Sequence, residues 1–337
     1  MVGNDIEKLS GFDYSEWLDN RNYIISFNSN NIVNKILKQI NSNNKKLSDY
    51  LDISNGFKPY QAGYGTNFNN KALNTNDVEN RIYHSVIKTD YSFKKEIKGK
   101  GIHRYSLTWK PNYIKWGKWL MSPKDIRYFI EPKILIRQII SDYFFASLDL
   151  DQYYADQSLY ICINYKEKNE DLKYFLALIN SRLYGFYFRK FYSEEDDLFP
   201  KIKVNELKNL PVKDVEKEKQ KIIAEKAEIM LSKNKELQQA NNQFIQLLIS
   251  KFPIININAK LNKWYKLSFA DFNKEISNQK IKLTLQDQSE WLSFFEQHKQ
   301  KALSIKNEID ATDTQIDKMV YELYELTDEE IKIVELV

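Results

Sequence analysis

The sequence predicts an α+β protein: a β-rich domain followed by an α-helical domain with long antiparallel helices. Two textures and the break between them predict it. From Lys45 to Pro211 the chain is dense in Tyr, Phe and Trp. Its apolar runs there are short, β-branched and separated by turn residues, as strands require. Beyond Pro211, apolar residues recur every seven positions over two long stretches, as packed helices require. Pro211 marks the boundary.

Residues 1–44 read as an N-terminal helical and linker segment. Ile32, Val33, Ile36, Leu37 and Ile40 have helical spacing, which places a helix at about 30–41, and Asn41-Ser42-Asn43-Asn44 reads as a linker. In residues 45–212 the runs 82–87, 133–139 and 158–163 read as strands of a curved or barrel-like sheet. A short helix is expected over 47–51, ending near Gly56. A longer one is expected over 170–188, with Leu172, Phe175, Leu176, Ile179 and Leu183 on one face.

In residues 213–337 one long helix spans 214–250. Met230, Leu237 and Phe244 form one line of its seam. Ala227, Asn234, Asn241 and Leu248 form the other, and the two asparagines weaken the seam but fix its register. A second long helix carries Phe295, Ala302, Ile309, Ile316 and Leu323 on one line and Trp291, His298, Ile305, Thr312 and Met319 on the other. A compact connection makes the pair an antiparallel hairpin, with Trp264, Tyr265, Leu267, Phe269 and Phe272 as plugs packed on it. Thr327-Asp328-Glu329-Glu330 is a capping box that opens a last helix ending near Glu335.

At 337 residues, 42% hydrophobic and 28% charged, the chain is long enough for two domains with cores. No apolar stretch reaches bilayer length. Met1 to Glu7 lack a basic region followed by an apolar one, so no secretory signal is read, and a cytoplasmic protein without membrane association is expected. The single cysteine, Cys162, lies among Tyr160, Ile161 and Ile163 and is expected to be a buried small residue.

Several chemistries are missing. There is no Gly-rich phosphate loop and no Asn/Asp-Pro-Pro-Tyr/Phe tetrapeptide of the kind amino-methyltransferases use to hold a flipped base. Nine scattered glycines make no cofactor-binding fingerprint. His84, His103 and His298 are far apart and form no triad or zinc pattern. His298 falls in the helical seam, where packing is expected. No catalytic residue, metal or cofactor is therefore expected. Nuclease-like outlines occur at Asp90 with Glu96-Ile97-Lys98, and at Asp196/Asp197 with Glu206-Leu207-Lys208. In a chain so rich in these residue types such spacings arise by chance. The acidic run 194–197 reads as a solvated loop.

Net charge is +4, so a nucleic-acid partner has to be met by a local basic face. The middle domain interleaves cations with aromatics in its loops. One such loop is Lys58-Pro59-Tyr60-Gln61-Ala62-Gly63-Tyr64-Gly65. Another is the basic stretch from Lys94 to Tyr105, whose Gly99 and Gly101 allow backbone N–H groups to approach phosphates; Lys110, Tyr113, Lys115, Trp116 and Lys118 follow. Lys98, Lys100 and Lys115 are the candidates for phosphate contacts. Lys58, Tyr60, Arg104, Tyr105 and Arg137 are the candidates for positions near bases or backbone, with Arg104 and Arg137 suited to bidentate reading of guanine.

An ordered series of segments resembles one family. Leu47-Ser48-Asp49-Tyr50-Leu51-Asp52-Ile53-Ser54-Asn55-Gly56-Phe57-Lys58-Pro59 is followed by Ile97-Lys98-Gly99-Lys100-Gly101-Ile102-His103-Arg104-Tyr105. Then come Tyr153-Tyr154-Ala155-Asp156-Gln157-Ser158-Leu159-Tyr160 and Leu176-Ala177-Leu178-Ile179-Asn180-Ser181-Arg182-Leu183. Phe199-Pro200-Lys201-Ile202-Lys203 and Leu207-Lys208-Asn209-Leu210-Pro211-Val212 close the series, with a tail from Ile316 to Thr327. Together they resemble the TaqI-like C-terminal specificity domain of type IIG and related restriction–modification enzymes. The resemblance implies binding of double-stranded DNA and reading of a short sequence, so that a methyltransferase can flip its target adenine. It implies a methyltransferase or restriction subunit as partner, because the methyltransferase half is absent from these residues. The step from Leu210-Pro211 into a long helix also resembles type I specificity subunits. On this reading residues 45–212 are a target-recognition domain and 213–337 a helical spacer. The alternatives are a metal-dependent nuclease whose carboxylates are gathered by folding, and a helical scaffold for protein assembly.

Overall fold

The computed structural model describes residues 31–42, 44–192 and 200–336. Among them helix α1 (Asn31–Asn41) comes first, then β1 (Lys45–Lys46), one helical turn α2 (Leu47–Tyr50) and β2 (Leu51–Asn55). A loop-rich lobe follows. It holds α3 (Thr75–Glu79), β3 (His84–Ser85), β4 (Phe93–Ile97), the small hairpin β5 (Ile102–His103) and β6 (Ser106–Leu107), and β7 (Tyr113–Lys115). The chain then makes α4 (Arg127–Ile130), β8 (Lys133–Arg137), β9 (Ala146–Asp149), β10 (Tyr154–Ala155) and β11 (Leu159–Asn164). Helices α5 (Leu172–Asn180), α6 (Arg182–Tyr192) and α7 (Val204–Lys208) lead to β12 (Pro211–Val212). Next comes the arm: α8 (Lys217–Lys251), α9 (Phe269–Ser277), α10 (Leu285–Leu323) and α11 (Asp328–Glu335).

A central antiparallel sheet ordered β2-β11-β8-β9 organises the molecule. Strand residues alternate sides. Ile134, Ile136, Tyr160 and Cys162 pack against the helices, while Leu135, Leu159, Ile161 and Ile163 pack against the lobe. Because both faces are covered, β11 is apolar almost throughout and Cys162 is fully buried, with its thiol pKa pushed up by burial. The lobe carries the second four-stranded sheet, β10-β4-β7-β3, with β10 parallel to β4.

The long helices form the expected antiparallel hairpin. Lys233 pairs with Glu308 at 2.7 Å, Phe244 meets Phe295 at 6.0 Å between centroids, and Lys251 reaches Asp287 at 3.7 Å. Trp264 stacks on Phe244, and Phe272 and Tyr265 are buried beside it, so the connection does plug the distal end. Leu267 and Phe269 are partly buried there. His298 packs on Phe294, 4.2 Å between centroids. Asn234 turns its amide to the Met230 carbonyl at 2.8 Å. Thr327 and Glu330 make the reciprocal cap that opens α11.

Four expectations are corrected. The helix over 47–51 is a single turn, because Leu51 and Ile53 alternate into the central core and carry the chain into β2. The helix over 170–188 is two helices. Ser181 is extended at ψ 154°, its hydroxyl donates to the Leu178 carbonyl at 2.7 Å, and the Arg182 N–H donates to Asp317 at 2.8 Å instead of continuing the first helix. The run 82–87 keeps strand pairing only at His84–Ser85, leaving Val86 and Ile87 exposed. The core also crosses the boundaries expected at 44 and 212. Ile36 and Ile40 of α1, Ile223 to Met230 of α8, and Ile305 to Tyr324 at the C-terminal end of the arm share one cluster with the central sheet. Residues 1–30, the run 194–197 and Asp196/Asp197 lie outside the described residues.

Candidate nucleic-acid interface

Hydrogen bonds between turns gather cations at one end of the central sheet. The Phe57 N–H donates to the Ala155 carbonyl at 3.0 Å, and the Asp156 N–H to the Ile97 carbonyl at 3.2 Å. The Gly99 N–H donates to the Ser158 hydroxyl at 2.9 Å, and the Gln138 N–H to the Ser158 carbonyl at 3.2 Å. These bonds bring Lys58, Lys98, Lys100 and Arg137 from three distant stretches of sequence to one rim. Lys100 is exposed and has no ion pair among the described residues. Arg137 lies 4.6 Å over the Phe145 ring. Lys58 donates to the Gln61 amide oxygen at 2.8 Å.

Three residues that sequence reasoning missed join this rim. Exposed Lys201 reaches it through the bridge between Ile139 and Lys201. His103 faces Arg137 and, from the arm, Lys263. Burial first, then these two cations, hold the His103 pKa below its ordinary value. The signal for Lys201 was its place in the segment Phe199 to Lys203; nothing in the sequence tied Lys263 to a site over 120 residues away.

Beneath the rim lies a buried polar relay. The Tyr83 N–H donates to the Tyr60 hydroxyl at 2.8 Å, Tyr60 lies 2.8 Å from His84 Nδ1, and His84 Nε2 lies 2.9 Å from Glu96. Since Tyr60 accepts from Tyr83, its own proton goes to Nδ1, which leaves Nε2–H to donate to Glu96. Glu96 is 2% exposed; burial opposes its charge, but His84, Lys98 and Asn112 outweigh it and hold its pKa low. Glu96 is thus committed inward. Asp90, its partner in the nuclease-like outline, turns instead to the Ser92 N–H at 2.7 Å. Tyr60 stacks on Tyr83 at 5.6 Å and props this relay.

The structure overturns two site expectations. Arg104 does not present its guanidinium for base reading. It forks onto Asp313 of α10 at 2.8 and 2.6 Å, donates to the Asn180 carbonyl at 2.8 Å and lies 4.1 Å over Tyr143. Tyr105, 1% exposed and at φ 58°, is part of the central core. The glycines beside them also differ from expectation, because Gly99 N–H is taken by Ser158 and Gly101 N–H by the Lys98 carbonyl at 2.8 Å. Neither is available to a phosphate. Lys115, half-buried on β7, lies 5.1 Å over Phe68, away from the rim.

Residues 94–212 match the TaqI-like C-terminal specificity domain family. The matched segment holds the rim residues Lys98, Lys100, Arg137 and Lys201; Lys58 precedes it. Residues 216–320, most of the arm, match a domain of unknown function (DUF8810). No curated protein matches the chain. Among solved structures, the type IIL restriction–modification enzyme MmeI in complex with DNA is similar at 12% identity and a TM-score of 0.42. The likeness covers 84% of this chain and 34% of that one, so this chain spans about a third of its length. Among the described residues no helix is long and apolar enough to cross a membrane.

Proposed function

We propose that this chain is the target-recognition module of a restriction–modification system: it binds duplex DNA, reads a short sequence, and presents the site to a methyltransferase or restriction activity supplied elsewhere. One observation carries the reading. Loops far apart in sequence, most of them within the segment that matches the specificity-domain family, converge so that Lys58, Lys98, Lys100, Arg137 and Lys201 share one rim. Duplex DNA offers a dense row of phosphates to such a rim. Arg137 is the rim residue suited to bidentate base contact, with the lysines holding backbone. The described chain contributes recognition rather than chemistry: its best-placed acid, Glu96, is neutralised inside the lobe.

The test is salt-dependent binding of the full chain to random duplex, followed by enrichment of bound sequences from a random pool. Enrichment of one short motif, with affinity falling steeply as salt rises, is the expected result. No duplex binding at low salt, with or without a methyltransferase partner, overturns the reading and favours a scaffold. Metal-dependent cleavage abolished by Glu96→Ala favours the nuclease.

A further inference from the structure

The turn between β3 and β4 carries an apolar tip that the protein itself leaves uncovered. Val86 is 72% exposed, Ile87 64% and Tyr91 86%, although the lobe core containing Tyr83 lies only a few residues away. The tip is held out rather than loose. The Ile87 N–H donates to the Ser85 hydroxyl at 3.1 Å, Asp90 accepts from the Ser92 N–H at 2.7 Å, and the preceding His84 is clamped between Tyr60 and Glu96. Aliphatic side chains fixed in water cost free energy that a bound partner recovers.

The charge around the tip indicates the partner. Residues 58–125 hold thirteen Lys and Arg against five Asp and Glu, a net +8 within a chain of net +4. Lys88 lies within the turn, and Lys94 follows it on β4; neither has an ion pair among the described residues, whereas Lys95 is drawn over the Trp109 and Tyr153 rings at 5.3 and 5.8 Å. The turn's one acid, Asp90, is tied to Ser92. A pair of bare aliphatics framed by unpaired lysines matches a polyanion with an apolar interior, which is what a stacked duplex is. Proteins that insert such side chains between base steps hold the phosphates on either side with cations.

We propose that Val86 and Ile87 form a wedge that enters the base stack of duplex DNA and unstacks one step, while Lys88 and Lys94 hold the flanking phosphates. The proposal rests on the recognition reading above. A wedge would add shape-dependent selectivity, because pyrimidine–purine steps unstack more easily than others.

The test uses the full chain with the duplex it enriches, or with random duplex if none is enriched, and permanganate reactivity of thymines as the report of unstacking. Bound wild-type protein is expected to raise thymine reactivity several-fold over free duplex. The Val86→Ser, Ile87→Ser double variant is expected to abolish that rise and weaken binding about tenfold while leaving the salt slope unchanged. Circular dichroism verifies its fold, and Ile87→Ala gives a milder second variant in the same direction. Lys100→Gln is expected to weaken binding but keep the reactivity once the duplex is saturated. Unreactive thymines under bound wild-type protein overturn the wedge and leave DNA recognition standing; a tip that serves a protein partner gives this result. Equal reactivity in the double variant also overturns it. Failure of the wild type to bind duplex overturns both.

Discussion

The lobe and the arm use lysine for opposite ends. Residues 58–125 are net positive, and Lys71, Lys88, Lys94, Lys95, Lys100, Lys110, Lys118 and Lys124 have no ion pair among the described residues. Residues 213–337 hold nineteen Lys against twenty-one Asp and Glu. There Lys213, Lys217, Lys233, Lys251, Lys260 and Lys306 each meet a carboxylate. Such exposed pairs add little stability individually, and the arm's other lysines have no ion pair among the described residues; it is the near-equal number of carboxylates that cancels the arm's field. The lobe leaves its field uncancelled, so an external anion is drawn to the lobe and its rim rather than along the arm. Two lobe cations do meet a carboxylate: Lys98 reaches Glu96 at 3.6 Å, and Arg104 has its partner, Asp313, on the arm.

The strongest way to break this comparison is Arg104→Ala. If Arg104 pins arm to lobe, its loss leaves Asp313 without its partner and lowers stability by about 3–5 kcal/mol in urea titrations. Unchanged stability with a selective loss of one base preference would return Arg104 to the reading surface. Next in size, replacing Lys98, Lys100 and Arg137 together with Gln should cut duplex affinity by about a hundredfold and reduce the salt slope by roughly three. The matched arm triple, Lys233, Lys251 and Lys260 to Gln, should leave the slope unchanged; an equal change in both would erase the distinction.

A smaller effect concerns pH. Burial, together with nearby Asp313, raises the Asp317 pKa from 3.8 to about 6 against the opposing pull of the Arg182 N–H, Arg104 and Arg182. The folded state therefore holds this proton more tightly than the unfolded chain. Through this group stability falls as pH rises from about 4 to 6, and acidification restores it. Asp317→Asn keeps an acceptor for Arg182 N–H and should gain about 1–2 kcal/mol at pH 7 while flattening that slope. Thermal melts across this range check it. The smallest difference separates two glycines. A Cβ at Gly101 would meet the Thr108 carbonyl at 2.5 Å, whereas one at Gly99 meets nothing nearer than 3.4 Å. Gly101→Ala should cost about 1–3 kcal/mol and Gly99→Ala much less.

Periodic elements were the readable part. The seven-residue repeat located both long helices and their antiparallel pairing, since a helix that buries one stripe must find a matching stripe. The short β-branched apolar runs 133–139 and 158–163, bounded by turn residues, located the two inner strands of the central sheet. What sequence could not read were breaks in periodicity caused by distant partners. The helix over 170–188 carries an unbroken apolar face, yet it divides at Ser181 because Asp317, over 130 residues away, takes the Arg182 N–H. Among the candidate site residues, type alone could not tell an arginine facing solvent from one facing Asp313, or a tyrosine in a loop from one in the core. Arg104 and Tyr105 failed for that reason, while Lys98, Lys100, Lys58 and Arg137 share a rim that only inter-loop hydrogen bonds define.

By itself the sequence determined the α+β class, the hairpin and the burial of Cys162. All of these follow from local patterns of apolar residues, because burying such residues is the main driving force of folding and its periodicity is written along the chain. Tertiary structure alone decided which cations remain free. That depends on where carboxylates from remote segments arrive, and Coulombic and hydrogen-bonding partners over 200 residues apart, as Arg104 and Asp313 are, leave no periodic trace in the sequence.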